Sequence, residues 1–406
     1  MTNRNSSKRW RGIVALFLVF AMFAAACGDD DDDSGAADGA DEPSDGAGDG
    51  DGADEPSDGA DDGNGAGDGD GTDEPSDDLT IAFVTHVIGN PFIQQIIDGA
   101  EAAASDLGVN LEVTGPAGGD ADAQLVAAQN LVAAGADGLA MSVPGSSIAF
   151  GVNEIIDGGT PVVTFNLLDT SVEAPYVGER SVESGRILGG LVLEELGGAE
   201  ATGTAIIGNC FPGFPVLENR AAGVEEALRA APGLEVLGPF DVKVEVTENY
   251  AAWEALLAAN PDAKALVGLC APDVASLGQL KAANPDSEFI GAGYDLTAEN
   301  LAEIEAGRAF ASVGQTPFMQ GYLPVFMLVD NLRNGTPLEQ GFVDAGTQVL
   351  TIDGSIEPYG LPSLSFSEVQ ELAGSPEQTR EFYQTLVDNV IPTWSDLIEP
   401  IENEAQ

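Results

Sequence analysis

The residues that decide the fold class are TIAFVTHVIGNPF, positions 80–92. Residues 80–85 form a continuous run of apolar and β-branched side chains, which predicts a strand buried on both faces. Asn90 and Pro91 then supply a helix N-cap and a first helical residue. Apolar side chains follow at helical spacing as far as Gly108, where we predict the end of the helix. The stretch therefore predicts a strand followed by a helix, the repeating unit of a parallel α/β sheet.

The same alternation of strand and helix recurs along the chain. In a first series we predict helices near 121–134 and 147–157 and strands at 111–114, 138–143 and 161–166. In a second series we predict helices near 183–196, 217–231, 250–259, 273–283 and 298–306, and strands at 204–209, 235–240, 265–269, 288–293 and 309–313. A helix at 318–334 and a strand near 342–350 follow. These two series cover about 275 residues, more than one core organises well, so we predict two α/β lobes with parallel sheets.

Residues 1–27 indicate an export signal. Four basic side chains precede an almost wholly apolar run of 14 residues, Ile13 to Ala26, which is short of the roughly 20 residues that span a bilayer. Three alanines directly before Cys27 resemble a bacterial lipobox, which implies cleavage before Cys27 and lipid attachment to its sulfur. A cleaved signal without lipid and an uncleaved anchor helix are the alternatives. We expect an extracytoplasmic protein anchored to the bacterial cell membrane by an N-terminal lipid.

Residues 28–78 and the rest of the chain differ sharply in composition. The 28–78 segment holds 22 acidic residues, no basic ones and no Val, Ile, Leu or aromatic side chain, which predicts a disordered acidic linker. Residues 79–406 carry 46 acidic and 10 basic side chains, a net charge of −36. Such a surface repels phosphates, so we expect no nucleic-acid partner, and acidic ligands are disfavoured.

Four stretches together resemble the ribose-binding branch of type I bacterial substrate-binding proteins. In chain order they are residues 80–92, GTPVVTFN at 159–166, ENRAAG at 218–223 and GYD at 293–295. Their order and spacing match over about residues 79–352. The resemblance implies two flavodoxin-like, three-layer αβα lobes with parallel sheets, joined by a three-crossover hinge that closes on a ligand. It also implies delivery of a sugar or polyol to the permease of an ABC importer.

The resemblance implies a division of the chain into two lobes and an extension. The N-terminal lobe takes 79–181 and 316–345, and the C-terminal lobe takes 182–315 and 346–353. Crossovers are expected near Glu179–Ser181, Gln315 and Ala345. Residues 354–406 form a C-terminal extension, which we expect to pack across the back of one lobe.

Ligands of open α/β sheets bind beyond the carboxyl ends of the strands, where the candidate residues lie. In the first lobe we expect ligand contacts from His86, Asn90, Phe92 and Asn166. The alternatives are a helix cap for Asn90, core packing for Phe92 and a surface or hinge role for His86. Asn166 and Leu167 stand where the family often has Asp and Arg, so we expect a less polar or smaller polyol-like ligand.

The second lobe and the hinge supply the remaining candidates. By position the resemblance assigns ligand contacts to Arg220, Asp295 and Gln315. The alternatives are a surface ion pair for Arg220 and a helix N-cap for Asp295, and we expect these two residues to pair with each other. Phe211 and Phe214 are candidates to stack on the ligand, with Tyr294 on the same rim. Pro272 falls where relatives carry Asn, and we expect Asp273 beside it to be a helix N-cap.

Cys210 and Cys270 end the first and third predicted strands of the second lobe. In the flavodoxin-like strand order these two strands are neighbours, and cysteines at adjacent strand ends can meet disulfide geometry, so we predict a bond between them. The exported context permits such a bond, and two buried free thiols are the alternative.

No motif of an enzyme is present in the sequence. The chain has one His, no Cys-x-x-Cys and no Gly-x-Ser-x-Gly, so we predict no catalytic residues, no metal site and no cofactor. The predicted function is a monomeric extracytoplasmic solute-binding protein for a neutral sugar or polyol. The alternative is a receptor of the same fold that feeds a sensor, or that binds a furanosyl signalling molecule or a nucleoside.

Overall fold

The computed structural model describes residues 79–389 and 391–405. The predicted signal peptide at 1–27, with Cys27, and the predicted linker at 28–78 lie outside the described residues. Within the described residues, none of the helices combines the length and the apolar composition that a bilayer span requires.

Thirteen strands and eleven α-helices make up the described chain. The strands are β1 (Thr80–Val84), β2 (Asn110–Thr114), β3 (Gly138–Met141), β4 (Val162–Phe165), β5 (Pro175–Gly178), β6 (Thr202–Asn209), β7 (Gly233–Asp241), β8 (Ala265–Gly268), β9 (Ile290–Tyr294), β10 (Ala311–Gly314), β11 (Gly341–Asp344), β12 (Gln348–Thr351) and β13 (Gly354–Ile356). The helices are α1 (Pro91–Leu107), α2 (Ala121–Ala133), α3 (Ser146–Asp157), α4 (Ser181–Glu195), α5 (Pro215–Leu228), α6 (Val246–Ala259), α7 (Asp273–Ala283), α8 (Ala298–Glu305), α9 (Pro317–Asn334), α10 (Phe366–Ala373) and α11 (Pro376–Asn389).

The strands form two sheets, which define a first and a second lobe. The first sheet has the order β2-β1-β3-β4-β5-β11 and is wholly parallel. The second has the order β7-β6-β8-β9-β10-β12-β13, and only its last two pairings are antiparallel. The predicted fold class of two parallel-sheet α/β lobes is confirmed.

Strand β1 shows why the first sheet is covered on both faces. Its residues Ile81 to Val84 are all fully buried. Ile81 and Phe83 pack into the cluster that contains α1 and α9, whereas Ala82 and Val84 pack into the cluster that contains α2 and α3. Because successive side chains of a strand point to opposite faces, a continuous apolar run is what a strand between two helix layers requires.

Gly223, in the ENRAAG stretch, marks a close approach of α4 and α5. A Cβ atom at Gly223 would lie 2.0 Å from the carbonyl oxygen of Val182, and one at Gly185 would lie 2.2 Å from that of Arg220. The two helix backbones therefore pack directly against each other, and this contact fixes the part of α5 that carries Arg220.

The chain crosses between the sheets three times, after β5, after β10 and after β11. The predicted single strand near 342–350 is wrong: β11 belongs to the first sheet and β12 to the second. Between them, the Ala345 amide donates to the Gly178 carbonyl at 2.6 Å, and the Thr316 hydroxyl donates to the Gly346 carbonyl at 2.8 Å. The three crossing segments therefore lie side by side and are hydrogen-bonded to one another.

The C-terminal extension contacts both lobes, not the back of one as expected from the sequence. Phe366 and Val369 of α10 pack against α7 and α8 of the second lobe. Tyr383 of α11 and Trp394 pack into the first-lobe cluster of α1 and α9. Farther along, Glu399 forms an antiparallel bridge with Phe342 of β11. The extension therefore runs from one lobe to the other.

Candidate ligand-binding site

A cavity of about 90 Å³ lies between the lobes, at the carboxyl ends of strands from both sheets. It is large enough for several water-sized groups. All eight residues predicted to contact a ligand line it: His86, Asn90, Phe92, Asn166, Phe211, Arg220, Asp295 and Gln315. The other lining residues are mostly apolar: Ile93, Leu167, Cys210, Phe214, Val216, Leu217, Val244, Cys270, Ala271 and Pro272.

For Asn90 and Phe92 a structural role and a place in the cavity lining coincide. The Asn90 Oδ1 accepts hydrogen bonds from the amides of Phe92 at 2.8 Å and Ile93 at 3.3 Å, so Asn90 caps α1. Its Nδ2 has no hydrogen-bond partner in the described chain and is left for a ligand. Phe92 is 7% exposed, packs in the first-lobe core and also lines the cavity.

His86 follows β1 and lies at the edge of the cavity. Its Nδ1 is 3.3 Å from the hydroxyl oxygen of Ser142. Burial lowers the pKa of His86 to about 4, so the ring is neutral at pH 7. A neutral imidazole has one donor and one acceptor nitrogen and adds no charge to the cavity.

A chain of hydrogen bonds links the polar residues of the two lobes. The Asn166 Nδ2 donates to Gln320 Oε1 at 3.0 Å, and Gln320 Nε2 donates to the Gln315 carbonyl at 2.7 Å. The Gln315 Nε2 then donates to Asp295 Oδ1 at 2.6 Å. Asn166 and Asp295 both have positive φ, 61° and 71°, which turns each chain sharply at the end of its strand. This arrangement fixes three cavity side chains before any ligand arrives.

Arg220 is 4% exposed and is held by three groups. It forms an ion pair with Glu179, its Nη1 donates to the Leu269 carbonyl at 2.9 Å, and its guanidinium lies 4.2 Å from the centre of the Tyr294 ring. Burial opposes the charge, but Glu179 raises the pKa of Arg220 above its ordinary value. The predicted ion pair of Arg220 with Asp295 is therefore corrected: among the described residues Arg220 forms its ion pair with Glu179, and Asp295 acts on it only at longer range.

Asp295 has a carboxyl oxygen, Oδ2, that makes no hydrogen bond within the described residues. Burial raises its pKa to about 7, against the opposing effects of Arg220 and the Gln315 hydrogen bond. Asp295 is not a helix cap: Thr297 caps α8 by accepting from the Asn300 amide. The carboxylate is thus available as an acceptor in the cavity.

Two neighbouring predictions are corrected by the structure. Tyr294 does not lie on the cavity rim; it is fully buried, with its hydroxyl 2.8 Å from that of Ser184. Asp273 is the first residue of α7 and not its cap. Its carboxylate accepts from the Trp253 indole at 2.8 Å and the Cys270 amide at 2.9 Å, so it supports the loop behind the cavity.

Cys210 and Cys270 are joined by a disulfide, with their Cα atoms 6.2 Å apart, and both line the cavity. Strands β6 and β8 are hydrogen-bonded neighbours, as the predicted strand order requires. Phe211 and Phe214 stack beside the disulfide, with ring centres 4.8 Å apart. The second-lobe side of the cavity therefore contains a rigid apolar surface.

Glu179 and Gln320 are important residues that sequence reasoning missed. Gln320 lies in the first turn of α9, where amphipathic spacing gives no sign that it is fully buried. Glu179 follows β5, a four-residue strand that the sequence did not indicate because it contains Pro175 and Gly178. The only signal for Glu179 was its place at a crossover. Among the described residues, no group of three or more His, Cys, Asp and Glu side chains could hold a metal ion.

Two α/β lobes, three crossings and a polar cavity between the lobes define a two-lobed solute-binding protein of the type I fold. Residues 81–336 match the family described as periplasmic binding protein domain. The chain belongs to this family, and the resemblance to its ribose-binding branch is confirmed.

Sugar-binding proteins are among the relatives. The xylose/arabinose-binding protein XylF of Sulfolobus acidocaldarius is 23% identical over 302 residues, 70% of this chain and 73% of the relative. The ribose import binding protein RbsB of Escherichia coli is 28% identical over 244 residues, 59% and 79% of the two chains. The solved structure of GanP, a glucose-galactose binding protein from Geobacillus stearothermophilus, is 25% identical with a TM-score of 0.62, and the match covers 68% of this chain and 97% of GanP.

Proposed function

We propose that this protein is an extracytoplasmic solute-binding protein that takes up a neutral sugar or polyol and delivers it to an ABC importer. The observation that carries the proposal is the convergence of polar side chains from both lobes on one cavity. The names of its relatives, which bind xylose, arabinose or ribose, support the same class of ligand.

The unused hydrogen-bonding atoms of the site suit hydroxyl groups. In the described chain, Asn90 Nδ2 and Arg220 Nη2 are donors without a partner. The side-chain oxygens of Asn166, Gln315 and Asp295 include acceptors without one. A sugar hydroxyl both donates and accepts, so a neutral polyhydroxylated ligand satisfies both kinds of group. Leaving a buried group unpaired costs about 1–3 kcal/mol, which favours a ligand that pairs them all.

Ligand binding is tested by calorimetry with pentoses, hexoses, polyols and nucleosides. Asp295→Asn keeps a side-chain oxygen for Gln315 but removes the carboxylate, so we expect at least tenfold weaker binding of the best ligand. Asp262→Asn makes the same chemical change at an exposed position outside the cavity and serves as the control. Equal binding by both variants, or no binding of any compound by the wild type, would contradict the proposal.

The proposed mechanism is closure of the lobes on the ligand. The first lobe presents Asn90 and Asn166, the second presents Arg220 and Asp295, and Gln315 lies at a crossing. A ligand that touches both sets favours the closed arrangement, since only that arrangement makes all the contacts. Small-angle scattering should therefore show a smaller radius of gyration when the sugar is saturating. Identical profiles with bound sugar would rule out closure.

Two further parts of the proposal, the lipid anchor and the role in import, are tested in cells. We expect the wild-type protein to remain with the membrane fraction and the Cys27→Ala variant to lose its lipid and be released from it. Deletion of the gene should abolish uptake of the radiolabelled ligand if the protein serves an importer. Normal uptake with a lost transcriptional response would instead support a sensor role.

A further inference from the structure

The lining of the cavity contains a connected set of polar residues, which we call the polar part, and a connected set of apolar residues. The polar part is connected by the hydrogen bonds from Asn166 through Gln320 and Gln315 to Asp295. Arg220 belongs to the same part, because it interacts electrostatically with Asp295.

The apolar part is also continuous, and we call it the apolar wall. Leu167 of the first lobe and Val216 of the second belong to one buried cluster, against which Phe214 packs. Phe214 also packs against the second-lobe core cluster that contains Cys210 and Cys270. Phe211 is stacked on Phe214 and packs against that cluster. The apolar wall therefore consists of Leu167, Val216, Phe214, Phe211 and the Cys210–Cys270 disulfide.

The apolar wall offers little to a hydroxyl group. Its side chains carry neither a strong donor nor a strong acceptor, since the cysteines have no thiol hydrogen when bonded. Several of its amides are already used: that of Leu167 donates to the Phe165 carbonyl, that of Phe211 to Asn209 Oδ1, and that of Cys270 to Asp273 Oδ2. A ligand hydroxyl placed here would lose its water and gain no protein partner.

We propose that the ligand of this site is a deoxy sugar, whose hydroxylated edge faces the polar part and whose methyl or methylene edge faces the apolar wall. The inference rests on the proposed function and makes its ligand class more specific. Where the parent sugar has a hydroxymethyl group the deoxy sugar has a methyl group, and where it has a hydroxyl-bearing carbon the deoxy sugar has a methylene group. Against the apolar wall either change replaces an unpaired hydroxyl with favourable apolar contact. Leu167 is the residue that sets this preference from the first lobe.

The test compares pairs of sugars that differ in one hydroxyl: D-fucose with D-galactose, L-rhamnose with L-mannose, and 5-deoxyribose with ribose. Calorimetry on the wild type should find at least one pair in which the deoxy sugar binds about tenfold or more tightly than its parent. Leu167→Asn places an amide in the apolar wall and should reduce that ratio several-fold. Val126→Asn, an apolar-to-amide change on the exposed face of α2, should leave the ratio unchanged.

The outcomes separate this inference from the proposed function. If parent sugars bind as tightly as their deoxy partners or more tightly, the proposed function stands and the deoxy preference is wrong. If Leu167→Asn binds the preferred deoxy sugar with an unchanged ratio, the apolar wall does not set specificity and the inference is overturned. If no sugar or polyol binds at all, both the function and the inference fail.

Discussion

Arg220 and Glu179 form an ion pair in which both side chains are almost fully buried, 4% and 1% exposed. The sequence alone favoured Arg220 as a ligand contact and paired it with Asp295. The structure keeps Arg220 at the cavity but gives it a structural partner as well. We therefore expect its removal to change both ligand binding and folding stability, and experiment has to separate the two effects.

Arg220→Ala should lower the free energy of unfolding by about 3–5 kcal/mol, because it leaves the Glu179 carboxylate buried without its partner. The double variant Glu179→Gln/Arg220→Gln removes both charges and should recover most of that loss. Urea denaturation measures the free energy of unfolding of each variant, and calorimetry measures its affinity for sugar. If the double variant is stable and binds sugar as tightly as the wild type, Arg220 does not contribute to sugar binding.

The raised pKa of Asp295 predicts a pH dependence of stability. Burial raises its pKa from 3.8 to about 7 in the folded chain; Arg220 and the Gln315 hydrogen bond oppose this rise, and the charges of Glu179 and Asp273 add to it. Between these values the folded state holds a proton that the unfolded chain releases. This contribution to stability is fully present below pH 3.8 and is lost as the pH rises through about 7.

Asp295→Asn removes this titration, so the unfolding free energy of the variant relative to the wild type should increase from pH 4.5 to pH 8. The comparison of two proteins cancels the titration of other groups, such as His86. Urea denaturation curves at several pH values check it, with Asp262→Asn as the control. A constant difference between Asp295→Asn and wild type across this range would show that Asp295 is ionised like an exposed carboxyl.

The sequence identified the cavity residues in two ways: strand ends were recognisable in the local pattern, and the family resemblance assigned Arg220, Asp295 and Gln315 by position. Asn166 and Asp295 each follow a continuous apolar strand, and the parallel topology then brings such strand ends together. The side chains that pair with the cavity residues were much harder to predict. Glu179 is one of 46 acidic side chains in residues 79–406, so only the packing of α4 and α5 distinguishes it from a surface carboxylate.

At the scale of elements, most strands and helices of the two lobes were predicted near their observed positions, including the four-residue strands β3, β4, β8 and β10. Strand β5 was missed, and β11 and β12 were taken for one strand. In residues 341–351 the apolar pairs Phe342-Val343 and Val349-Leu350 are separated by only five residues, Asp344 to Gln348, but the chain passes there from one sheet to the other. Tertiary contacts decide which sheet a short strand joins. One of them is the hydrogen bond from the Ala345 amide to the Gly178 carbonyl, and the local sequence pattern does not reveal such contacts.

The C-terminal extension is attached to the first lobe through Trp394, and a substitution at this residue tests the attachment. Trp394 is 1% exposed in the first-lobe core, and its indole donates to Asp330 Oδ2 at 3.0 Å. Trp394→Ala should lower the unfolding free energy by about 3–5 kcal/mol, less if residues 391–405 simply detach. Faster hydrogen exchange in 391–405 and in α11 would identify detachment.

Trp394→Phe is the matched control for this variant. It retains most of the apolar volume and loses only the hydrogen bond to Asp330, so we expect a loss of about 1 kcal/mol. Neither variant touches the cavity, and sugar affinity should stay within about twofold of the wild type. A large loss of affinity in both variants would mean that the extension controls the arrangement of the lobes.

At the scale of the whole molecule, charge is the dominant property of residues 79–406. Ten carboxylates take part in ion pairs with basic side chains, and within the part of the chain that the structure describes the other 36 acidic residues have no cationic partner within 4 Å. Like charges on a compact body repel one another and lower its stability relative to an expanded chain.

Raising NaCl from 0.1 to 1 M shortens the screening length from about 10 Å to about 3 Å. We therefore expect the melting temperature to rise by several degrees over this range at pH 7.5. At pH 4, where many surface carboxyls are protonated, the same change in salt should have a smaller effect. A melting temperature that falls with salt at pH 7.5 would contradict a destabilising role for the surface charge.

In chain order β11 lies between β10 and β12, two strands of the second sheet, but it belongs to the first sheet. This order has a consequence for the expression of parts of the gene and for folding during synthesis. A contiguous piece of the gene that ends before residue 341 encodes a first lobe without its edge strand, and one that starts after residue 182 carries that strand with no sheet to join. We therefore expect neither half to reach its complete fold when it is expressed alone. During synthesis the first sheet waits for its last strand until about 160 further residues have left the ribosome after β5.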